Sequence, residues 1–212
     1  MQKNPERLTP GRLRRLHANK RAPIRRRLAD FSNVPQSEYF YELVYCLLTP
    51  QSSAANASKA VKLLKQQDFL SRPINPAPLL HQKDFYIRFH HTKGSNLARI
   101  KEQFPLIAGH LLNGSDAEEL REWFVMNVKG LGYKEASHFL RNIGHRNLAI
   151  LDRHILRNLV RTGVLRSLPK TLTRKRYLDI EKKFRGFAER LNIPMDELDL
   201  LFWSMETGEI LK

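Results

Sequence analysis

The chain has 212 residues, enough for one large or two small domains with a real core. Hydrophobic residues make up 42% and charged residues 27%, and 37 Lys+Arg against 21 Asp+Glu leave a formal net charge of +16, which points to a polyanionic partner, nucleic acid first. A lone cysteine, Cys46, excludes an intramolecular disulfide and any multi-cysteine metal or iron–sulfur cluster. The lack of a signal-like apolar start or an 18-residue apolar run leads us to expect an intracellular protein, of cytoplasm or nucleoid, that spans no membrane. The plain alternative for the charge is a basic surface kept for solubility.

In chain order, residues 1–30 are densely basic, with Arg12, Arg14, Arg15 and Arg25 to Arg27 among Leu8, Leu13, Leu16 and Leu28, punctuated by Pro10 and Pro23. Either a packed helix or a disordered basic arm fits this segment. Tyr39 to Leu48 is strongly apolar, reads as a helix and stops at Thr49-Pro50. Ser52 or Ser53 then caps a helix carrying Ala57, Ala60, Val61 and Leu64. Pro73, Pro76 and Pro78 mark a loop. Leu97, Ile100, Phe104, Ile107 and Leu111 form a helical stripe, kinked or interrupted at Pro105. Asp116 starts a helix with Leu120, Trp123, Phe124 and Val128 on one side. Ala136, Phe139, Leu140 and Ile143 repeat the pattern, and Gly144 is a good helix stop. Asp152 caps a further helix, and two more follow over about 172–191 and 194–207. With no set of alternating strands, the fold class is all-α, about ten helices in two tightly packed lobes.

The most informative segment is Val128-Lys129-Gly130-Leu131-Gly132-Tyr133-Lys134. A Gly-x-Gly turn here joins two amphipathic helices. Gly130 and Gly132 permit positive φ and close backbone approach, and the first N–H groups of the second helix attract an anion. Such a turn can hold one phosphate without reading sequence, and its carbonyls can seat a monovalent cation that bridges to DNA. Lys134, in the first turn of the second helix, is a candidate amine nucleophile; a solvated helix lysine is the alternative. Asp152 is a candidate carboxylate partner. Its plain role as an N-cap is compatible with chemistry, because a capping carboxylate is fixed in place, as a group stabilising developing positive charge should be.

The run from Lys129 to Gly144, followed by Ala149-Ile150-Leu151-Asp152-Arg153-His154-Ile155-Leu156, resembles the helix–hairpin–helix superfamily of DNA glycosylases. It is most similar to the compact archaeal-type 8-oxoguanine DNA glycosylase/AP lyases. Leu47 to Ser52, Arg88-Phe89 through Lys93, and the ending from Asp199 to Lys212 are similar to that family too. Together these cover most of 38–212. The missing cysteine cluster separates the chain from the iron–sulfur branch. The resemblance implies that Lys134 attacks C1′ of the damaged nucleotide to form a Schiff base and permit β-elimination, with Asp152 supporting the oxocarbenium-like transition state. It implies that His154 contacts a phosphate and that Gln51 fills the space left in the duplex. It implies that Phe89 and Trp203 sandwich the flipped base, and that Asp199 and Lys212 recognise it. Stacking of an extruded base on an aromatic face is worth roughly 1–3 kcal/mol. 8-Oxoguanine carries an N7 proton where guanine has a lone pair, so a carboxylate or carbonyl acceptor can tell them apart.

The expected organisation is residues 1–50 packing with 150–212, a helical bundle over 51–149 that carries the hairpin, and an active site in the cleft between the lobes. The expected partner is double-stranded DNA containing 8-oxoguanine, bound by a monomer with no cofactor and no catalytic metal. Two rivals stand beside this: a related glycosylase for another damaged base, and a non-catalytic helix–hairpin–helix module that binds DNA backbones. Lys134 argues against a monofunctional alkyl-base enzyme, which needs only an aspartate and a water.

Overall fold

The computed structural model describes residues 7–210. Among them are nine α-helices: α1 Pro10–Ser32, α2 Tyr39–Leu48, α3 Ala54–Gln66, α4 His90–Leu112, α5 Ala117–Asn127, α6 Tyr133–Asn142, α7 Arg153–Arg161, α8 Arg174–Leu191 and α9 Met195–Thr207. Two 3-10 turns, Gln36–Glu38 and Ala77–Leu80, and one isolated antiparallel bridge between His81 and Tyr86 complete the described secondary structure. Among the described residues no helix is long and apolar enough to cross a membrane. The chain divides into two compact units, Val34–Ile143 and the segment up to Asn33 joined by Gly144 onward.

The division falls at 33/34 and 143/144, where the expected boundaries lay at 50/51 and 149/150. Helix α2, assigned above to the N-terminal segment, belongs to the Val34–Ile143 unit and packs against α3, α4 and α6. The reason is its composition: eight of its ten residues, Phe40 and Glu42 to Leu48, are buried, and a helix apolar nearly all round must sit inside a bundle. Its one buried carboxylate, Glu42, accepts a hydrogen bond from Asn142 Nδ2 at 3.1 Å. Ser53, not Ser52, caps α3, its Oγ accepting from the Asn56 N–H at 3.1 Å. Helix α4 runs through Pro105 without a break and buries Lys93, Gly94, Leu97, Ile100 and Ile107. Asp116 caps α5 by accepting from the N–H groups of Glu118 and Glu119 at 2.8 and 2.9 Å.

In the other unit Pro10–Ser32 is a packed helix rather than a loose arm. Thr9 caps it, Pro10 stands in its first turn, and Leu13, His17, Ile24, Leu28 and Phe31 are buried. Pro23 lies inside α1 and does not end it. The missing hydrogen bond falls on the exposed face, where Pro23 and Asn19 both meet solvent, so water can satisfy the freed carbonyl. Helix α1 is tied to α9 by buried Glu197, which pairs with His17 Nε2 at 2.6 Å and with Arg25 Nε at 2.9 Å. Leu148 to Leu151 form a buried segment outside any described helix or strand. Its N–H groups are met by side chains instead: Ala149 donates to Glu181 Oε1 at 2.7 Å, Ile150 to Asp199 Oδ2 at 3.4 Å and Leu151 to Tyr177 Oη at 3.3 Å. Those anchors on α8 and α9 deliver Asp152 to the start of α7.

Candidate active-site residues

The hairpin lies between α5 and α6 in the Val34–Ile143 unit. Val128 and Leu131 are buried at its base, and the Leu131 N–H donates to the Val128 carbonyl at 3.2 Å, closing the turn. Gly130 adopts φ +95°, and a Cβ there would sit 2.7 Å from Asn96 Nδ2 and 3.2 Å from Leu47 Cδ2. Glycine is favoured at 130 by its left-handed backbone, while the two neighbours are side-chain ends that can give way. Gly132 differs from the expectation: its φ is −95°, open to any residue. Its N–H is also not free, since it donates to Glu135 Oε2 at 3.3 Å, half of a capping box. Two contacts hold the helices around the turn: Tyr133 Oη donates to Glu122 Oε2 at 2.6 Å, and buried Arg121 Nη1 donates to Ser137 Oγ at 3.3 Å.

Lys134 is the second residue of α6, 27% exposed, with Nζ 3.0 Å from Glu135 Oε1. Glu135 thus meets both the turn and the candidate nucleophile. Close by lies Lys93, to which the sequence reading gave no role. It is 9% exposed, and burial, then the neighbouring Lys134 cation, push its pKa down to about 8 against the pull of Glu135. Its place in the buried stripe of α4, four residues before Leu97, was the available signal. Lys93 lines a cavity of about 250 Å³ with Pro50, Phe89, Asn96 and Gly130. Gln51 and Phe89 are both exposed and both left-handed, at φ 56° and 60°. The Arg88 guanidinium lies 5.0 Å from the centre of the Phe89 ring.

In the other unit, Asp152 caps α7, and both of its carboxylate oxygens are engaged. Oδ1 accepts from the Ile155 N–H at 2.8 Å and Oδ2 from Trp203 Nε1 at 3.0 Å. His154 stands edge-on to Trp203, ring centres 5.9 Å apart, with Nδ1 3.9 Å from Glu206 Oε2. The structure thus brings Asp152, His154 and Trp203 together. Asp199 is 2% exposed and holds the Ile150 N–H. Lys212 lies outside the described residues. No group of three or more His, Cys, Asp or Glu among the described residues could hold a metal ion.

Residues 24–193 match the family model described as 8-oxoguanine DNA glycosylase. The chain belongs to the 8-oxoguanine DNA glycosylase family. A family member from Fusobacterium nucleatum subsp. nucleatum, named 8-oxoguanine DNA glycosylase/AP lyase, is 44% identical over 199 residues, covering 89% of this chain and 91% of that protein. One of the same name from Methanocaldococcus jannaschii is 37% identical over 183 residues, covering 86% of this chain and 87% of that protein. Among solved structures, the M. jannaschii glycosylase/lyase in complex with a 15mer DNA containing 8-oxoguanine superposes with a TM-score of 0.82 at 33% identity, covering 94% of this chain and 99% of that one. The 8-oxoguanine DNA glycosylase of Thermotoga maritima gives 0.83 at 29% identity, covering 96% and 98%. These likenesses confirm the family and the all-α fold that the hairpin and its flanking motifs implied.

Proposed function

We propose that this chain is a bifunctional 8-oxoguanine DNA glycosylase and AP lyase. The observation that carries this is a lysine in the first turn of the hairpin's second helix, in a chain whose residues 24–193 match the glycosylase family. Lys134 passes a proton to the Glu135 carboxylate, and its neutral Nζ attacks C1′ of the damaged nucleotide. The glycosidic bond breaks and the base leaves with the bonding pair, taking up a proton. The ring-opened sugar is then linked to Lys134 as a Schiff base, which acidifies the C2′ proton. Its loss expels the 3′ phosphate and nicks the strand. Asp152 stabilises the positive charge that develops at C1′, and its two hydrogen bonds keep the carboxylate aimed without reorganisation.

We assign substrate contact to Gln51, Phe89 and Trp203, and phosphate contact to the Gly130 turn and His154. Base recognition by Asp199 and Lys212 belongs to the same proposal, as does action by a monomer on chromosomal DNA. A single-turnover assay on duplex DNA with one 8-oxoguanine tests it, following base release and nicking separately. Wild type does both, Lys134→Gln neither, and Asp152→Asn slows both. Tight binding with no base release and no nick would instead favour the non-catalytic DNA-binding module.

A further inference from the structure

Gln51 and Phe89 share an unusual feature, since a left-handed backbone costs a non-glycine residue roughly 1–2 kcal/mol. Such residues persist only where the surroundings over-determine them. Gln51 lies in the turn closed by the Ser52 N–H donating to the Thr49 carbonyl at 3.0 Å. Phe89 is the N-cap of α4.

One side chain bonds the Gln51 turn directly and the Phe89 turn through Ser52. The Lys93 ammonium donates to the Leu48 carbonyl at 2.8 Å, to the Pro50 carbonyl at 2.6 Å and to Ser52 Oγ at 3.4 Å. All three of its donors are used. Leu48 is the last residue of α2, where unpaired carbonyls and the helix dipole attract a cation. Ser52 Oγ also accepts from the Arg88 N–H at 3.0 Å, and the Lys93 N–H itself donates to the Phe89 carbonyl at 2.9 Å. The end of α2 and the Gln51 turn therefore meet at one ammonium, and Ser52 Oγ links that ammonium to the Phe89 turn. A buried charge is costly even when paired, and the next residues of this stripe, Leu97 and Ile100, are apolar. Lys93 is retained here at a cost that packing alone does not call for.

We infer that Lys93 is a positioning residue for lesion recognition: it clamps the Gln51 and Phe89 turns so that both side chains meet the duplex in one geometry. It takes no part in bond breaking at the sugar. The inference rests on the proposed function, because Gln51 and Phe89 are DNA contacts only within that reading.

The test compares two substrates: a duplex with one 8-oxoguanine, and the same duplex with a preformed abasic site, which has no base to flip or stack. Lys93→Met should lower single-turnover excision of 8-oxoguanine at least tenfold and change nicking of the abasic site less than threefold. The extrusion signal of a 2-aminopurine placed beside the lesion should fall with excision. Ser52→Ala, which leaves both carbonyls to the ammonium and spares the fold, should lower the ratio of excision to abasic nicking in the same direction, by about threefold or more. Thermal melting checks each variant, and if Lys93→Met does not fold, the Ser52→Ala ratio decides. An unchanged ratio in Ser52→Ala, or equal losses on both substrates in a folded Lys93→Met, overturns the inference. Wild type that nicks neither duplex sinks the proposed function instead, and the inference with it.

Discussion

Trp203 offers two surfaces to the proposed reaction, and they can be separated. Its ring face is the expected platform for the flipped base. Its edge donates the 3.0 Å hydrogen bond that fixes Asp152 Oδ2. Trp203→Phe removes the N–H and keeps an aromatic face, though a smaller one. A hydrogen bond to a charged group is worth about 1.5–3 kcal/mol, and 1.36 kcal/mol is tenfold in rate, so the variant should excise 8-oxoguanine roughly 10- to 150-fold more slowly if that bond matters chiefly in the transition state. Binding to the lesion duplex should fall less than excision does, since a smaller aromatic stacking face remains. Trp203→Leu should weaken binding as well. Single-turnover rates at saturating enzyme, with affinities measured separately on uncleaved DNA, read the two effects. Trp203→Phe excising at the wild-type rate, or losing only affinity, would refute the argument that the indole edge aims the carboxylate.

Further outcomes follow from the same geometry. Gly130→Ala forces a left-handed alanine, at roughly 1–2 kcal/mol, so its melting temperature should fall by several degrees; an unchanged melt would contradict the backbone strain at that turn. Lys129→Gln, on the exposed turn, should lower the slope of log affinity against log salt by about one without altering preference for 8-oxoguanine over guanine. Asp152→Ala loses the α7 cap and should cost about 0.5–2 kcal/mol in urea unfolding, separating stability from its effect on rate. Lys93 titrates near 8 in the folded chain against 10.5 for an ordinary lysine. Between those values the unfolded chain holds the extra proton, so stability gains with rising pH there. The advantage of wild type over Lys93→Met should therefore be larger at pH 9.5 than at pH 7; a difference independent of pH would show that Lys93 does not titrate in that window.

Local signals made much of this legible. Asp116 and Asp152 announce helix starts because a short carboxylate accepts from the N–H groups two or three residues on. Gly144 announces a stop because it takes φ +101° after α6. The division into units was harder, since an apolar helix such as α2 says that it is buried but not in which unit. Pro23 misleads because the cost of a proline depends on whether its face meets solvent. The least legible features are tertiary: Trp203 reaches Asp152 across 51 residues, and Lys93 bonds to segments more than 40 residues away. No periodicity reports such contacts. A charged residue within an apolar stripe was the one hint for Lys93.

The central claim is that Lys134 becomes covalently joined to the sugar of an 8-oxoguanine nucleotide. Borohydride reduction during turnover, on duplexes holding 8-oxoguanine or guanine at the same site, tests it directly when the adduct is digested and the modified residue identified by mass spectrometry. The account predicts a stable adduct on the 8-oxoguanine duplex alone, carried by Lys134 and absent in Lys134→Gln. An adduct on another lysine, or base release with no adduct, would contradict it.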